Sequence, residues 1–187
     1  ERGVFRAIQK VYASFYNDNA VLERLRLDVN ESEVGMALLV HPSFPDEKEL
    51  ANGVATLEKK GPTDNTILSL VTQLGAVSVT NPTDTSIPEE VTITVLPNGT
   101  VVPPSTKNIQ SPSSLVPLGG TVMTWSKDYT DLAGLLIRVS DQYTQMSGKT
   151  AYTLDLEYKK VAPGDKTLPA GGLVIKQVRP VPEPNQT

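Results

Sequence analysis

The side chains that enzymes use most often are scarce in this chain. It has one histidine, His41, and no cysteine. Disulfides, thiolate zinc sites and cysteine nucleophiles are therefore excluded. A serine nucleophile would need His41 as its base. His41 closes an apolar run directly before Pro42, a position that reads as structural rather than catalytic. There is no phosphate-cradling P-loop, no G-x-G-x-x-G fingerprint and no His/Asp/Glu spacing suited to zinc. The pattern that remains lies near the C-terminus. Asp155 and Glu157 alternate with apolar residues, and Gln177 and Arg179 are likewise two apart. Residues i and i+2 of a strand share a face. Two carboxylates thus occupy one face of one strand, and an amide and a guanidinium occupy one face of another. Taken alone, they are the solvated face of an edge strand and its cross-strand partners in an exposed ladder.

The elements that position these residues follow from periodicity. Tyr152, Leu154, Leu156 and Tyr158 take the face opposite Thr153, Asp155 and Glu157, which predicts a strand over Ala151–Lys159. A short polar connection leads to a last strand over Gly172–Arg179, and the two are expected to pair as a hairpin. Upstream, Leu132, Leu136, Val139, Tyr143 and Met146 form a helical stripe, with Asp128 or Thr130 as its cap and Gly148 as its stop. Val91, Ile93 and Val95 alternate with threonines as a half-buried strand, and Pro97-Asn98-Gly99 can turn the chain so that Thr100–Val102 returns against it. Residues 103–120 read as a long loop. Gly53–Leu57 and Thr66–Gln73 are strand candidates, and the apolar run Glu33–His41 reads as a strand buried on both faces. Val4, Ile8, Val11, Phe15, Leu22 and Leu25 lie on one helical stripe, broken at Asn17-Asp18-Asn19. From Pro180 the chain is a Pro-rich, extended tail.

Composition narrows the class. Of 187 residues, 39% are hydrophobic and 20% charged, ordinary values for a soluble globular protein. The net charge of −4 and the lack of a basic cluster interleaved with Trp125 or the tyrosines argue against a nucleic-acid partner. No apolar run approaches the roughly 18–20 residues of a membrane span. The Asn-x-Ser/Thr triplets at Asn30, Asn98 and Asn185 occur about as often as chance supplies them, so a cytoplasmic location is expected over a secreted one. The first residue is Glu1, which suggests a processed protein or a fragment.

Four segments together resemble the phosphoenolpyruvate synthase / pyruvate phosphate dikinase family. They are Ala7-Ile8-Gln9-Lys10-Val11-Tyr12-Ala13-Ser14-Phe15-Tyr16-Asn17; Val34–Val40 followed by Ala51-Asn52-Gly53-Val54-Ala55; Val77-Ser78-Val79-Thr80-Asn81-Pro82 followed by Pro88-Glu89-Glu90; and Leu154-Asp155-Leu156-Glu157-Tyr158 with Val174-Ile175-Lys176-Gln177-Val178-Arg179-Pro180. The last pair is similar to the family's closing hairpin. The resemblance is to the C-terminal half of the ATP-binding domain, and it spans nearly the whole chain. It implies an α+β, ATP-grasp-like subdomain over residues 1–180, a mostly antiparallel sheet packed with two or three helices, followed by a tail at 181–187. It implies ATP and Mg²⁺ as ligands, with Glu157 and Gln177 as metal ligands and Arg179 as the cofactor-binding and catalytic cation that offsets phosphate charge. It also implies partners: the other ATP-grasp half and a phosphohistidine domain, in cis or in trans. The chain departs from the family pattern in three respects. Ala76 stands where the family has a carboxylate, Thr56–Lys60 lacks the usual ending of its segment, and there is no R-S-S-like segment or Cys-His pair. Such a piece is expected to be inactive alone. The alternative is a non-catalytic binding or structural module built on a retained half.

Overall fold

The computed structural model describes residues 2–41, 43–79 and 85–182. Pro42, Thr80–Pro82 of the third resembling segment, the Asn185 triplet and the tail beyond Pro182 lie outside the described residues. The chain clusters into two compact units, Glu1–Ser43 and Phe44–Thr187.

The first unit holds helices α1 (Arg2–Ser14) and α2 (Asp18–Arg26). They break where the Asn-Asp-Asn run predicts, with Asn17 at the N-cap of α2. Arg24 ties the unit together. Its guanidinium lies 3.8 Å from the centre of the Phe15 ring. It donates to the Phe15 and Ala20 carbonyls at 2.7 and 3.1 Å, and to Glu31 at 2.6 Å. The expected strand over Glu33–His41 is not formed. Glu31–Glu33 is a 3₁₀ turn, the residues after it have no regular structure, and Leu39 and Val40 are 79% and 90% exposed. An apolar run can be read from sequence, but a strand also needs a neighbour for its N–H and C=O groups. Among the described residues this run has no strand partner.

The second unit is α+β. Six strands form one antiparallel sheet: β1 (Glu49–Lys59), β2 (Thr66–Leu74), β3 (Glu89–Val95), β4 (Ile109–Ser111), β5 (Tyr152–Val161) and β6 (Gly172–Pro180), in the order β4-β3-β2-β1-β5-β6. The predicted closing hairpin is present as β5–β6. Helix α3 (Thr130–Ser147) covers one face. Alternation puts Ala55 and Leu57, Leu68 and Leu70, Val91 and Ile93, and Leu154 and Leu156 on that face, in one buried cluster with Leu132, Ala133 and Leu136 of α3. Burying a Leu or Ile side chain in this way contributes about 1.5–3 kcal/mol each.

Three predicted details differ. A π-turn, Trp125–Tyr129, precedes α3, with the Tyr129 N–H bonded to the Thr124 carbonyl. Thr124 caps this turn, and the N-cap of α3 itself is Tyr129, between the predicted Asp128 and Thr130. Asp128 instead reaches back to accept from the Thr124 N–H and hydroxyl at 2.9 and 2.8 Å. Residues 103–120 contain β4 and a 3₁₀ turn, because the outer edge of β3 takes Ile109–Ser111 as its partner. Thr100–Val102 returns with a single bridge, Val95 to Val101. Gly148 ends α3 at φ +70°, as read from the sequence.

Candidate functional site

The face of the sheet opposite α3 carries two cross-strand rows over β1, β5 and β6, polar on β5 and β6. In one row Val54, Glu157 and Gln177 are register partners; in the next, Thr56, Asp155 and Arg179. Directly opposed residues of antiparallel strands share a face, so the sheet brings Glu157, Gln177 and Arg179 together as the sequence predicts. They line a cavity of about 230 Å³ with Val54, Thr56 and Asp155.

The two rows differ in commitment. Asp155 accepts from Thr56 at 3.3 Å and from Arg179 at 3.2 Å. Arg179 and Asp155 thus form the exposed cross-strand pair that the bare alternation suggested, with side chains 66% and 39% exposed. Glu157 and Gln177 are exposed, and among the described residues their side chains make no hydrogen bond or ion pair.

Next to this cavity is a second, of about 220 Å³, which also includes Glu157. Its other polar lining comes from Glu49, Asn52, Lys159 and Lys176. Lys159 is salt-bridged to Glu49, whose side chain is 3% exposed. Lys176 reaches this cavity because β6 has one residue more than β5 at this point. Glu157 opposes Gln177 and Tyr158 opposes Ile175, which leaves Lys176 as the extra residue of a β-bulge. Its ammonium lies 5.2 Å from the centre of the Phe44 ring. Burial, together with the neighbouring Lys159 charge, lowers its pKa below the usual lysine value, and Glu49 opposes the shift. Asn52 donates at 2.8 Å to both the Gly75 and Val77 carbonyls, which fixes Ala76 in the cavity wall.

Sequence reasoning missed Glu49, Asn52, Lys159 and Lys176. Lys159 could have been found, because it lies two residues beyond Glu157 on the same face. Lys176 could not, because alternation places it on the opposite side from Gln177, and nothing in the sequence announces the bulge. His41 belongs to the first unit and lines neither cavity.

Polar groups on the covered face are arranged differently. Glu89 is fully buried, accepts a short hydrogen bond from the Tyr129 hydroxyl, and accepts from the Val122 N–H at 3.3 Å. Thr72 and Tyr158 continue the network through a 2.6 Å hydroxyl–hydroxyl bond. Burial raises the Glu89 carboxyl above its ordinary range, against the hydrogen bonds from Tyr129 and Val122. It raises the Tyr129 and Tyr158 hydroxyls too. A broader cavity of about 770 Å³ lies between the start of α3 and the β5–β6 connection. Most of its charges are paired: Lys160 with Asp128 at 2.6 Å and Lys127 with Asp131 at 2.8 Å. Burial pushes the Asp128 carboxyl up, but hydrogen bonds from Lys160 and Thr124 outweigh this and hold it below its ordinary range.

Compared with protein-family models, curated proteins and solved structures, the chain finds no match. Among the described residues no group of three or more His, Cys, Asp or Glu forms a metal cage. No described helix is long and apolar enough to cross a membrane.

Proposed function

We propose that this chain is an ATP- and Mg²⁺-binding subdomain of a dikinase-like phosphotransferase, with the open face of β1, β5 and β6 as its metal-and-phosphate wall. One observation carries the reading. A carboxylate and an amide face each other across β5 and β6, exposed and uncommitted, beside a guanidinium. Buried polar groups that serve the fold are paired, as those under α3 are, whereas this exposed carboxylate and amide are under no such demand.

The residues fit a magnesium ion. Mg²⁺ takes hard oxygen ligands, usually one or two from protein, with phosphate and water filling the rest. Glu157 supplies a carboxylate oxygen and Gln177 a carbonyl oxygen, so the absence of a three-carboxylate cage is no obstacle. Bound there, the ion would neutralise phosphate charge. Arg179, held by a single exposed pair to Asp155, can exchange that partner for a phosphate oxygen. Its role in the proposal is to offset charge on the group in transfer. The opposing ATP-grasp half and the phosphohistidine domain would be separate pieces, in cis or in trans.

The second reading, a non-catalytic module on a retained half, is favoured by Ala76. It stands in the cavity wall beside Glu157, at the position where the resembling family carries a carboxylate. Manganese separates the two readings. With Mn²⁺ and ATP, paramagnetic broadening should centre on Val54, Glu157 and Gln177 and disappear in Glu157→Gln. Broadening that centres elsewhere, or that survives the substitution, would refute the metal-site reading.

A further inference from the structure

We infer that the second unit carries a docking groove for an extended acidic peptide, which adds a strand to the outer edge of β6 and turns a carboxylate toward Arg138 of α3. The groove lies on the α3 side of the sheet, away from the metal-and-phosphate wall, and the inference does not depend on that reading.

The edge is the first argument. Among the described residues β6 pairs with β5 alone and so ends the sheet. Alternate residues of an antiparallel strand turn their N–H and C=O groups to opposite edges, so about half of those in β6 point away from β5. Edge strands are usually blunted by bulges, charges or proline. β6 carries such devices in its second half: the bulge after Ile175, then Arg179 and Pro180. Gly172–Ile175 carries none. It runs in unbroken register against Val161–Tyr158 and is apolar after the glycine. Leu173 and Ile175 pack against the core cluster under α3. A strand laid beside them would send every second side chain to that same side.

Space is the second argument. On that side lies the cavity of about 770 Å³, with Gly172 and Leu173 on its strand wall and Gly134, Leu135 and Arg138 on its helix wall. Gly134 sits inside an 18-residue helix, where glycine is among the least favourable residues. Apart from its own helix backbone and chain neighbours, a Cβ there would meet only the Arg138 guanidinium, at 3.9 Å, an ordinary contact. Packing within the fold therefore does not require the glycine; its effect is to keep the groove open. Charge is the third. Lys160 and Lys127 are paired with Asp128 and Asp131 in the cavity wall. Arg138 is exposed and, among the described residues, makes no hydrogen bond or ion pair. Its planar fork matches a carboxylate. Backbone pairing at the edge supplies affinity, and the groove with Arg138 selects apolar and acidic side chains at alternate positions.

Titration of the full chain with the peptide acetyl-Thr-Val-Thr-Glu-Thr-Val-Thr-amide, followed by amide chemical shifts, tests this. Saturable shifts are expected at Leu173–Ile175 and Gly134–Arg138, and none along β4 at the other edge of the sheet. Arg138→Gln should weaken binding by about twofold to fivefold, the range of a single exposed charge contact. It should not change the affinity for the same peptide with Gln in place of Glu. Proline in place of the two Thr residues that flank Glu removes backbone donors and should weaken binding about tenfold or more, the contribution of two hydrogen bonds. Gly134→Leu, whose side chain would occupy the groove, should lose saturable binding while its urea midpoint stays no lower than that of the unsubstituted chain. Shifts that do not saturate, equal affinity for the Glu and Gln peptides, or undiminished binding of the proline peptide would overturn the groove. Binding retained by a folded Gly134→Leu would do the same. Shifts at Leu173–Ile175 that follow protein concentration without peptide would assign the edge to a second copy of the chain and refute the peptide site. Neither result bears on the metal reading, which is tested on the opposite face.

Discussion

The two faces of the sheet both carry polar side chains and use them in opposite ways. Under α3, Glu89, Tyr129, Thr72 and Tyr158 form a closed network, each group bonded to another and shut away from water. On the open face, among the described residues, Glu157 and Gln177 have no such partners, and Arg179 has one exposed ion pair. Both sets come from the same strands: Tyr158 follows Glu157 directly, and the two point in opposite directions. A buried unsatisfied polar group costs about 1–3 kcal/mol, so burial demands closure. Exposure makes no such demand and leaves groups available to a ligand. The covered face should therefore respond to substitution through stability, and the open face through binding.

The largest contrast should come from neighbouring residues. Leu156 is 1% exposed under α3. Leu156→Ala should cost about 2–5 kcal/mol, from lost burial and the cavity left behind. Glu157→Ala, one residue along, should stay within about 0.5 kcal/mol. Urea unfolding of both variants checks this, and equal losses would end the division of labour between the faces. Gly53→Ala should come next. A Cβ at Gly53 would lie 2.4 Å from the Tyr158 ring and hydroxyl and 2.5 Å from the Val71 carbonyl. Backbone cannot give way as a flexible side chain can, so a loss of about 1–3 kcal/mol is expected. A neutral Gly53→Ala would mean that Tyr158 is less tightly seated than its hydrogen bond to Thr72 implies.

Glu89 gives a pH signature to the covered face alone. Burial raises its folded pKa above the unfolded value, against the pull of Tyr129 and Val122. The folded state then holds the proton to higher pH than the unfolded chain does. Stability from this group is fully present below the ordinary carboxyl pKa and is lost as pH rises through the raised one. Glu89→Gln keeps an oxygen for the Tyr129 hydroxyl and removes the titration. Its unfolding free energy should lose that downward slope in the pH range above the ordinary Glu pKa of about 4.3. An unchanged slope would assign the pH dependence to other groups.

The α+β class, the β5–β6 hairpin and the sharing of one face by Glu157, Gln177 and Arg179 were all legible, because each rests on local alternation. Where the reading failed, the answer lay in a partner distant in sequence. The run before His41 has every local mark of a strand, yet Leu39 and Val40 remain exposed. β4 was invisible because three residues in a Pro/Ser-rich stretch carry no period, and the edge of β3 alone makes them a strand. Lys176 was not legible as a neighbour of Glu157, because one bulge inverts alternation for a single residue. The start of α3 lies within one residue of both predicted caps, but the π-turn before it, capped by Thr124, falls outside the 3.6-residue stripe and was not legible. What the sequence lacked was long-range pairing and the irregularities it induces.

The smallest expected effect is the most diagnostic for the open face. Arg179 must be held loosely if it is to serve a phosphate, and its ion pair with Asp155 measures how loosely. The two side chains are 66% and 39% exposed and 3.2 Å apart. Water and salt screen such a pair, and exposed pairs typically contribute about 0.2–1 kcal/mol. A double-mutant cycle with Asp155→Asn and Arg179→Gln isolates the coupling. It should fall in that range at low salt and fade in about 1 M salt, where the screening length shrinks to about 3 Å. A coupling above about 2 kcal/mol, more than exposed pairs give, would show that Asp155 locks the guanidinium into the sheet. Arg179 would then belong with the closed network on the other face, and its charge-offsetting role would fall. A weak, salt-sensitive coupling leaves Arg179 able to leave Asp155 for a phosphate oxygen at little cost, as a wall waiting for its ligand requires.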